Sequence, residues 1–304
     1  MNAYLNALSL LPEEFKKPLS AVSENIACKI KEIRFRSGEP IVLYSDKIYY
    51  ITKSGFVTSL CSSSLLVADE KQMYDVVFAL SRRSLHTYQD MIAKGYIPLR
   101  GGCKAGVAGR AVMKNNVVYS VSAFNSVNIR VSREYDGCAD ELLAAVGDCT
   151  SYLIIGSPMS GKTTLLRALC RFYSGKSAIP PKKIAIIDER DEIASRTFGC
   201  FVDVGVHTDV LTLYPKAIGT EIALRTLSPE IIILDEIGTV EEAGALLSAM
   251  NSGVDFIATA HGGCFEEVLR RPNIKALINA GVFKKAIVLE GKQAPCRVKD
   301  VVSF

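Results

Sequence analysis

The chain has 304 residues, with 36 basic against 32 acidic side chains and a net charge of +4. That length suits two domains, each large enough to fold without covalent staples, and so even a charge balance gives no electrostatic case for nucleic acid. Nine scattered cysteines, odd in number and never spaced C-x-x-C, argue against both a disulfide framework and a zinc site.

The opening, Met1 to Ser20, lacks a basic n-region, and Asn6 and Pro12 interrupt its apolar stretch, so it reads as an ordinary helix and not a signal peptide. No window reaches the about 18 uncharged apolar residues of a spanning helix, which leaves membrane contact peripheral or through a partner. Residues 26 to 60 alternate as strands do, with turn signals at Ser37-Gly38 and Ser54-Gly55. Residues 69 to 94 show helical spacing, Met73, Val76, Val77 and Leu80 on one helix and Tyr88, Met91 and Ile92 on a second. Glycines punctuate Gly95 to Arg110 as in bent strands or tight turns, and residues 117 to 133 read as two further strands. Around Tyr135-Asp136-Gly137 the pattern changes to a helix, Ala139 to Val146, and then alternates strand with helix. The expected division is a smaller N-terminal α+β domain, 1–135, and an α/β domain, 136–304.

The segment Tyr152 to Arg167 combines an apolar strand, a G-x-x-x-x-G-K-T loop and a helix start. Gly156, Ser157, Pro158, Met159, Ser160, Gly161, Lys162, Thr163 and Thr164 are the expected phosphate cradle: glycines permit close backbone approach, and N–H groups at a helix N-terminus face the anion. Lys162 is expected to reach the β and γ phosphates of ATP, and Thr163 the Mg2+ ion. Next, the run from Lys183 ends in Asp188-Glu189-Arg190-Asp191-Glu192, carboxylates at a strand end that either hold a metal or orient water, or form a solvated loop. Asp188 and Glu189 are the catalytic candidates here. The run Ile231 to Leu234, capped by Asp235-Glu236, suits a strand buried on both faces; Asp235 can hold magnesium, usually through water, and Glu236 can polarise the attacking water. A last buried strand from Asp255 presents Thr259 and His261 at its end, where His261 is a candidate γ-phosphate sensor. The fold these elements predict is a RecA-like P-loop ATPase domain with a mainly parallel central sheet.

In this order the elements resemble the secretion ATPase superfamily of type II and type IV secretion and pilus motors, and Ala223 to Glu236 looks like the stretch leading into their Walker B strand. Gly95 to Gly102, Ala108 to Val112, Asn128 to Val131, Asp188 to Ile193 and Ala258 to Gly262 are similar, more narrowly, to the stage III sporulation protein AA family of endospore-forming bacteria. That resemblance implies an ATPase of the mother-cell cytoplasm, a hexameric ring acting with the membrane components of the channel between mother cell and forespore. In the resembling motors the N-terminal domain closes over the nucleotide at a subunit junction, which makes Arg100, Arg110 and Arg130 candidates for an arginine supplied in trans; the alternative is ordinary surface arginines. The chain departs from the family at Cys103-Lys104, where histidine and arginine are common, and at Met159, where the P-loop usually carries glycine. Two other readings stay open. RecA-like cores also drive nucleic-acid translocases, and Gly106-Val107-Ala108-Gly109 matches a G-x-x-G loop, but such a loop joins two helices and the surrounding Val107, Val112, Val117 and Val118 favour strands; a nucleotide-gated scaffold is the third.

Overall fold

The computed structural model describes residues 3–60, 64–132, 137–175, 180–196 and 202–304. They fall into two compact units, the first reaching residue 132 and the second starting at 137. Among the described residues no helix is long and apolar enough to cross a membrane.

In the first unit, helices α1 (Ala3–Leu8), α2 (Glu13–Ser20) and α3 (Glu24–Ala27) precede strands β1 (Glu32–Arg36), β2 (Val42–Tyr44), β3 (Ile48–Ile51) and β4 (Val57–Thr58). Helices α4 (Glu70–Leu80) and α5 (Gln89–Ala93) follow, then β5 (Tyr96–Pro98), β6 (Lys104–Lys114) and β7 (Val117–Arg130). The seven strands form one antiparallel sheet in the order β4-β3-β2-β1-β7-β6-β5. Period-2 burial turns Ile33 and Phe35 inward from β1, where Phe35 meets Phe15 of α2 edge-on at 5.5 Å. Helix α4 begins with an Asp69/Gln72 capping box and buries Met73, Val76, Val77 and Leu80, the i, i+3, i+4, i+7 stripe.

One expectation is corrected here. The segment expected as two strands after residue 117 is one, β7; Ala123, at φ +45, makes a bulge opposite Gly109 and not a turn. Gly109 is required there, since a Cβ would stand 2.6 Å from Ser122 O. The tetrad Gly106 to Gly109 therefore lies inside an antiparallel pair and not in the helix-joining loop of a nucleic-acid-binding G-x-x-G module. At the family departure, Cys103 is buried with Sγ accepting from Ser132 N, and Lys104 lies 5.1 Å from the Tyr96 ring centroid.

The second unit runs α6 (Asp140–Val146), β8 (Tyr152–Gly156), α7 (Lys162–Ser174), β9 (Ile184–Asp188), β10 (Thr208–Thr212), α8 (Lys216–Thr226), β11 (Ile231–Leu234) and α9 (Val240–Ala249). It continues with β12 (Asp255–His261), α10 (Phe265–Leu269), α11 (Pro272–Asn279), β13 (Lys285–Leu289) and β14 (Val298–Ser303). Its sheet has the order β10-β9-β11-β12-β8-β13-β14, parallel throughout except that β14 runs antiparallel on the edge. All residues of β8, β9 and β11 are buried. Alternate residues face two cores: Tyr152, Ile154, Ile184, Ile186 and Ile233 pack with Leu165, Leu166 and Leu169 of α7, whereas Leu153, Ile155, Ala185, Ile187 and Leu234 pack with Leu246 of α9 and Leu277 of α11. A sheet covered on both faces explains why these strands read as unbroken apolar runs. From β8 the chain leaves for β9, past β12 and β11, while β13 returns on the other side of β8. The carboxyl end of β8 is thus a topological switch point, the place where open α/β sheets bind ligands.

Candidate phosphate-binding site

The loop after β8 turns on Gly161, whose φ of +93 favours glycine and where a Cβ would stand 2.5 Å from Cys296 Sγ and 2.8 Å from Cys296 N. Cys296 N donates to Ser160 O at 2.8 Å, so the segment joining β13 to β14 backs the loop directly. Helix α7 follows with no side-chain N-cap and no acidic residue in its first turn. The N–H groups of Lys162, Thr163 and Thr164 at this helix start therefore meet no carboxylate of their own turn, and the helix dipole favours an anion there. Ser160 Oγ is buried without a partner among the described residues; an orphaned hydroxyl beside free N–H groups is what a bound phosphate satisfies. The cradle fits a nucleotide phosphate. Lys162 Nζ donates to Gly156 O at 2.7 Å and Ser157 O at 3.0 Å; burial lowers its pKa, while the Glu236 and Asp235 carboxylates act in the opposite direction. Met159, exposed, sits at φ +65, a conformation that glycine adopts without strain.

Strand register sets the rest. Ile154 pairs with Thr259 and Gly156 with His261, Leu234 pairs with both Ala258 and Ile187, so Asp235 and Asp188 fall at one level across the sheet. Thr259 Oγ1 donates to Asp235 Oδ1 at 3.0 Å, and Glu236 N donates to the same oxygen at 2.9 Å. Burial pushes the Asp235 carboxyl up, against the Thr259 hydrogen bond. The Glu236 side chain is 40% exposed, with Oε2 3.8 Å from Arg190 Nη1. His261 ends β12 beside the P-loop, its carbonyl accepting from Arg271 Nη2 at 2.6 Å.

Asp188 is buried, and its carboxylate faces its own loop: Glu192 N donates to Oδ1 at 2.7 Å, Ile193 N and Ala194 N to Oδ2 at 3.0 and 2.8 Å. Burial raises its pKa against those three N–H groups. Arg167 of α7 clasps the same loop by donating to Ile193 O and Glu192 O, both at 2.7 Å. Asp188 thus holds the acidic loop to the end of β9, Arg167 ties that loop to the P-loop helix, and Glu189 reaches Lys216 Nζ at 3.4 Å. Of the three arginines, Arg100 lies in a single turn after β5, Arg110 on β6 and Arg130 at the end of β7, all exposed and all in the first unit.

One residue of the site has no place in the motifs. Lys216, the first residue of α8, is 5% exposed and donates to Glu236 O at 2.8 Å and to Glu242 Oε1 at 3.0 Å. Glu242 in turn accepts from Gly238 N and Thr239 N, capping α9. Burial pushes the Glu242 carboxyl up, but the two N–H groups and Lys216 together outweigh it and hold it below its usual range. A lysine at the first helical position opposes the dipole, and that mismatch was the only sequence signal that a carboxylate partner awaited it.

The family described as sporulation stage III, protein AA, matches residues 5–303. The stage III sporulation protein AA of Bacillus subtilis (strain 168) is 35% identical over 301 residues, 96% of this chain and 92% of that protein. In fold, the chain is similar to the Legionella pneumophila ATPase DotB, with a TM-score of 0.58 at 17% identity over 91% of this chain and 76% of that one. The pilus retraction motor PilT with bound ADP gives a TM-score of 0.55 at 14% identity over the same shares. With an α/β fold of this kind and a family match that runs almost from end to end, the chain belongs to the sporulation stage III protein AA family.

Proposed function

We propose that the chain hydrolyses ATP as a ring-forming motor of the mother-cell cytoplasm and energises assembly of, or transport through, a membrane channel during endospore formation. The observation that carries this reading is the meeting of Lys162, Asp235 and Glu236 at the switch point, on a cradle whose N–H groups and Ser160 hydroxyl suit phosphate. A magnesium ion, when bound, supplies charge neutralisation to the phosphate oxygens; Thr163 and Asp235 are the residues that would hold it. Glu236, exposed to solvent beside Lys162, orients water and accepts its proton, and His261 stands next to Gly156 to sense the terminal phosphate. Asp188 keeps the acidic loop in place; of that loop's other carboxylates, Glu189 reaches Lys216, and Glu192 is close enough to Asp235 to help raise its carboxyl. Completion of the site by Arg100, Arg110 or Arg130 of a neighbouring copy belongs to the same proposal, as do the hexamer and the membrane-channel partner.

Release of phosphate from magnesium-ATP by the purified chain, lost in Lys162→Ala, is the expected result. Equal turnover in that variant overturns the assignment, and strong stimulation by single-stranded nucleic acid redirects it to a translocase.

A further inference from the structure

From Lys104 to Arg130 the chain carries four basic residues and no acidic one, and the other 32 basic residues equal the 32 acidic ones, so the net charge resides in this hairpin. Only its root belongs to the sheet. Strand β5 pairs with β6 as far as Gly106, and β1 pairs with β7 from Ser126 on. Between Ala108 and Ala123 the two strands pair only with each other among the described residues, and no residue of this arm is buried. Near its tip, a turn on Asn115 and Asn116 with φ of +51 and +60, stand Val112, Met113, Val117 and Tyr119, exposed by 42, 58, 66 and 48%. Arg110 and Lys114 lie among them, and Lys114 Nζ is 5.0 Å from the Tyr119 ring centroid.

Exposed apolar side chains gathered at one place mark an interaction surface, and the charge beside them says of what kind. A purely solvated arm has no use for aliphatic side chains, and a single-stranded nucleic acid would require aromatic platforms where three of these four positions are aliphatic. A bilayer of anionic lipid meets both halves of the pattern: aliphatic side chains enter the acyl boundary, a tyrosine sits at the headgroup level and basic side chains meet phosphate. The neighbouring helix α5 contributes Asp90 and Lys94 to the groove beside the arm, charges that cancel. We propose that the β6–β7 arm docks the protein directly on an anionic phospholipid surface, with Val112, Met113 and Val117 in the interface and Lys114 at the phosphates.

The chain has no tryptophan, so Val117→Trp, at an exposed position, is a sole fluorescent reporter. With vesicles containing phosphatidylglycerol its emission is expected to shift to the blue and to be quenched by lipids brominated in the acyl chain. Lys114→Gln in that background should weaken vesicle affinity about fivefold, the worth of one basic residue near such a surface. In flotation, Val112→Asn with Val117→Asn should stay in solution with anionic vesicles while the parent floats. ATP turnover of these variants should equal the parent's, which separates failure here from failure of the ATPase reading. No blue shift, equal binding to neutral phosphatidylcholine, a shift without vesicles that tracks self-association, or binding to single-stranded RNA in place of vesicles would each overturn the proposal.

Discussion

Replacing Lys216 by methionine keeps most of the stem's volume and removes the charge that ties α8 to the turn after β11. The charge-assisted bond to Glu242 at 3.0 Å is the main loss, about 1.5–3 kcal/mol. The contact with Glu189 at 3.4 Å adds little, because that side chain is 37% exposed and a solvated pair is worth about 0.5 kcal/mol or less. Glu242 keeps its bonds from Gly238 N and Thr239 N, which holds the cost below the about 3–5 kcal/mol of a fully orphaned buried charge. The expected destabilisation is therefore about 2–3 kcal/mol in urea unfolding, with a fall in Tm of about 5–10 °C for a unit of this size. Glu242→Gln added to Lys216→Met should restore about 1 kcal/mol or more of that loss, since neither charge is then left alone. Because the same Nζ holds Glu236 O, turnover at saturating ATP should fall about tenfold, a displacement worth about 1.4 kcal/mol at the barrier, while ATP affinity stays within about threefold. A loss of under about 0.5 kcal/mol, or strictly additive single and double variants, refutes the coupling.

Glu236→Gln should retain magnesium-ATP and lose hydrolysis, read by nucleotide binding and phosphate release on one preparation; parental turnover would move the search to Glu189. Met159→Gly removes a non-glycine residue from φ +65 and should stabilise the chain by about 0.5–1 kcal/mol once the unfolded glycine's extra freedom is counted, with the phosphate cradle unchanged. The Glu242 carboxyl is held below its ordinary value of 4.5, so its contribution is present above that pH and is lost as pH falls through the folded value; the stability gap between parent and Glu242→Gln should stay level above about pH 5 and narrow in more acid solution. Among Arg100→Ala, Arg110→Ala and Arg130→Ala, at least one should lower turnover far more than ATP binding, and mixing it with Lys162→Ala should restore part of the activity; normal turnover in all three removes the shared site.

The P-loop and the acidic strand were legible because their signals are local: a cradle needs glycine, lysine and threonine at fixed spacing, and a strand buried on both faces needs an apolar run such as Ile231 to Leu234. Position along the chain also revealed that Asp188 ends a strand at the right level. Its orientation was hidden, because the three N–H groups that claim it come from a loop whose path is set by contacts made after folding, Arg167 of α7 among them. Lys216 was hidden for a similar reason, its partners lying 20 and 26 positions away on other elements. The single strand β7 reads as two in the sequence because a bulge at Ala123 and a turn look alike in composition.

Cys296 carries a consequence for the order of events during synthesis. The Gly161 turn is shaped against its backbone and sulfur, 135 positions further along the chain. Until the ribosome has released that segment, the residues from Gly156 to Thr164 have their motif but lack the wall behind it, and β8 lacks its neighbour β13. The proposed phosphate cradle thus matures only after Cys296 has emerged, and a nascent chain halted before Cys296 should fail to retain ATP, however complete its P-loop sequence.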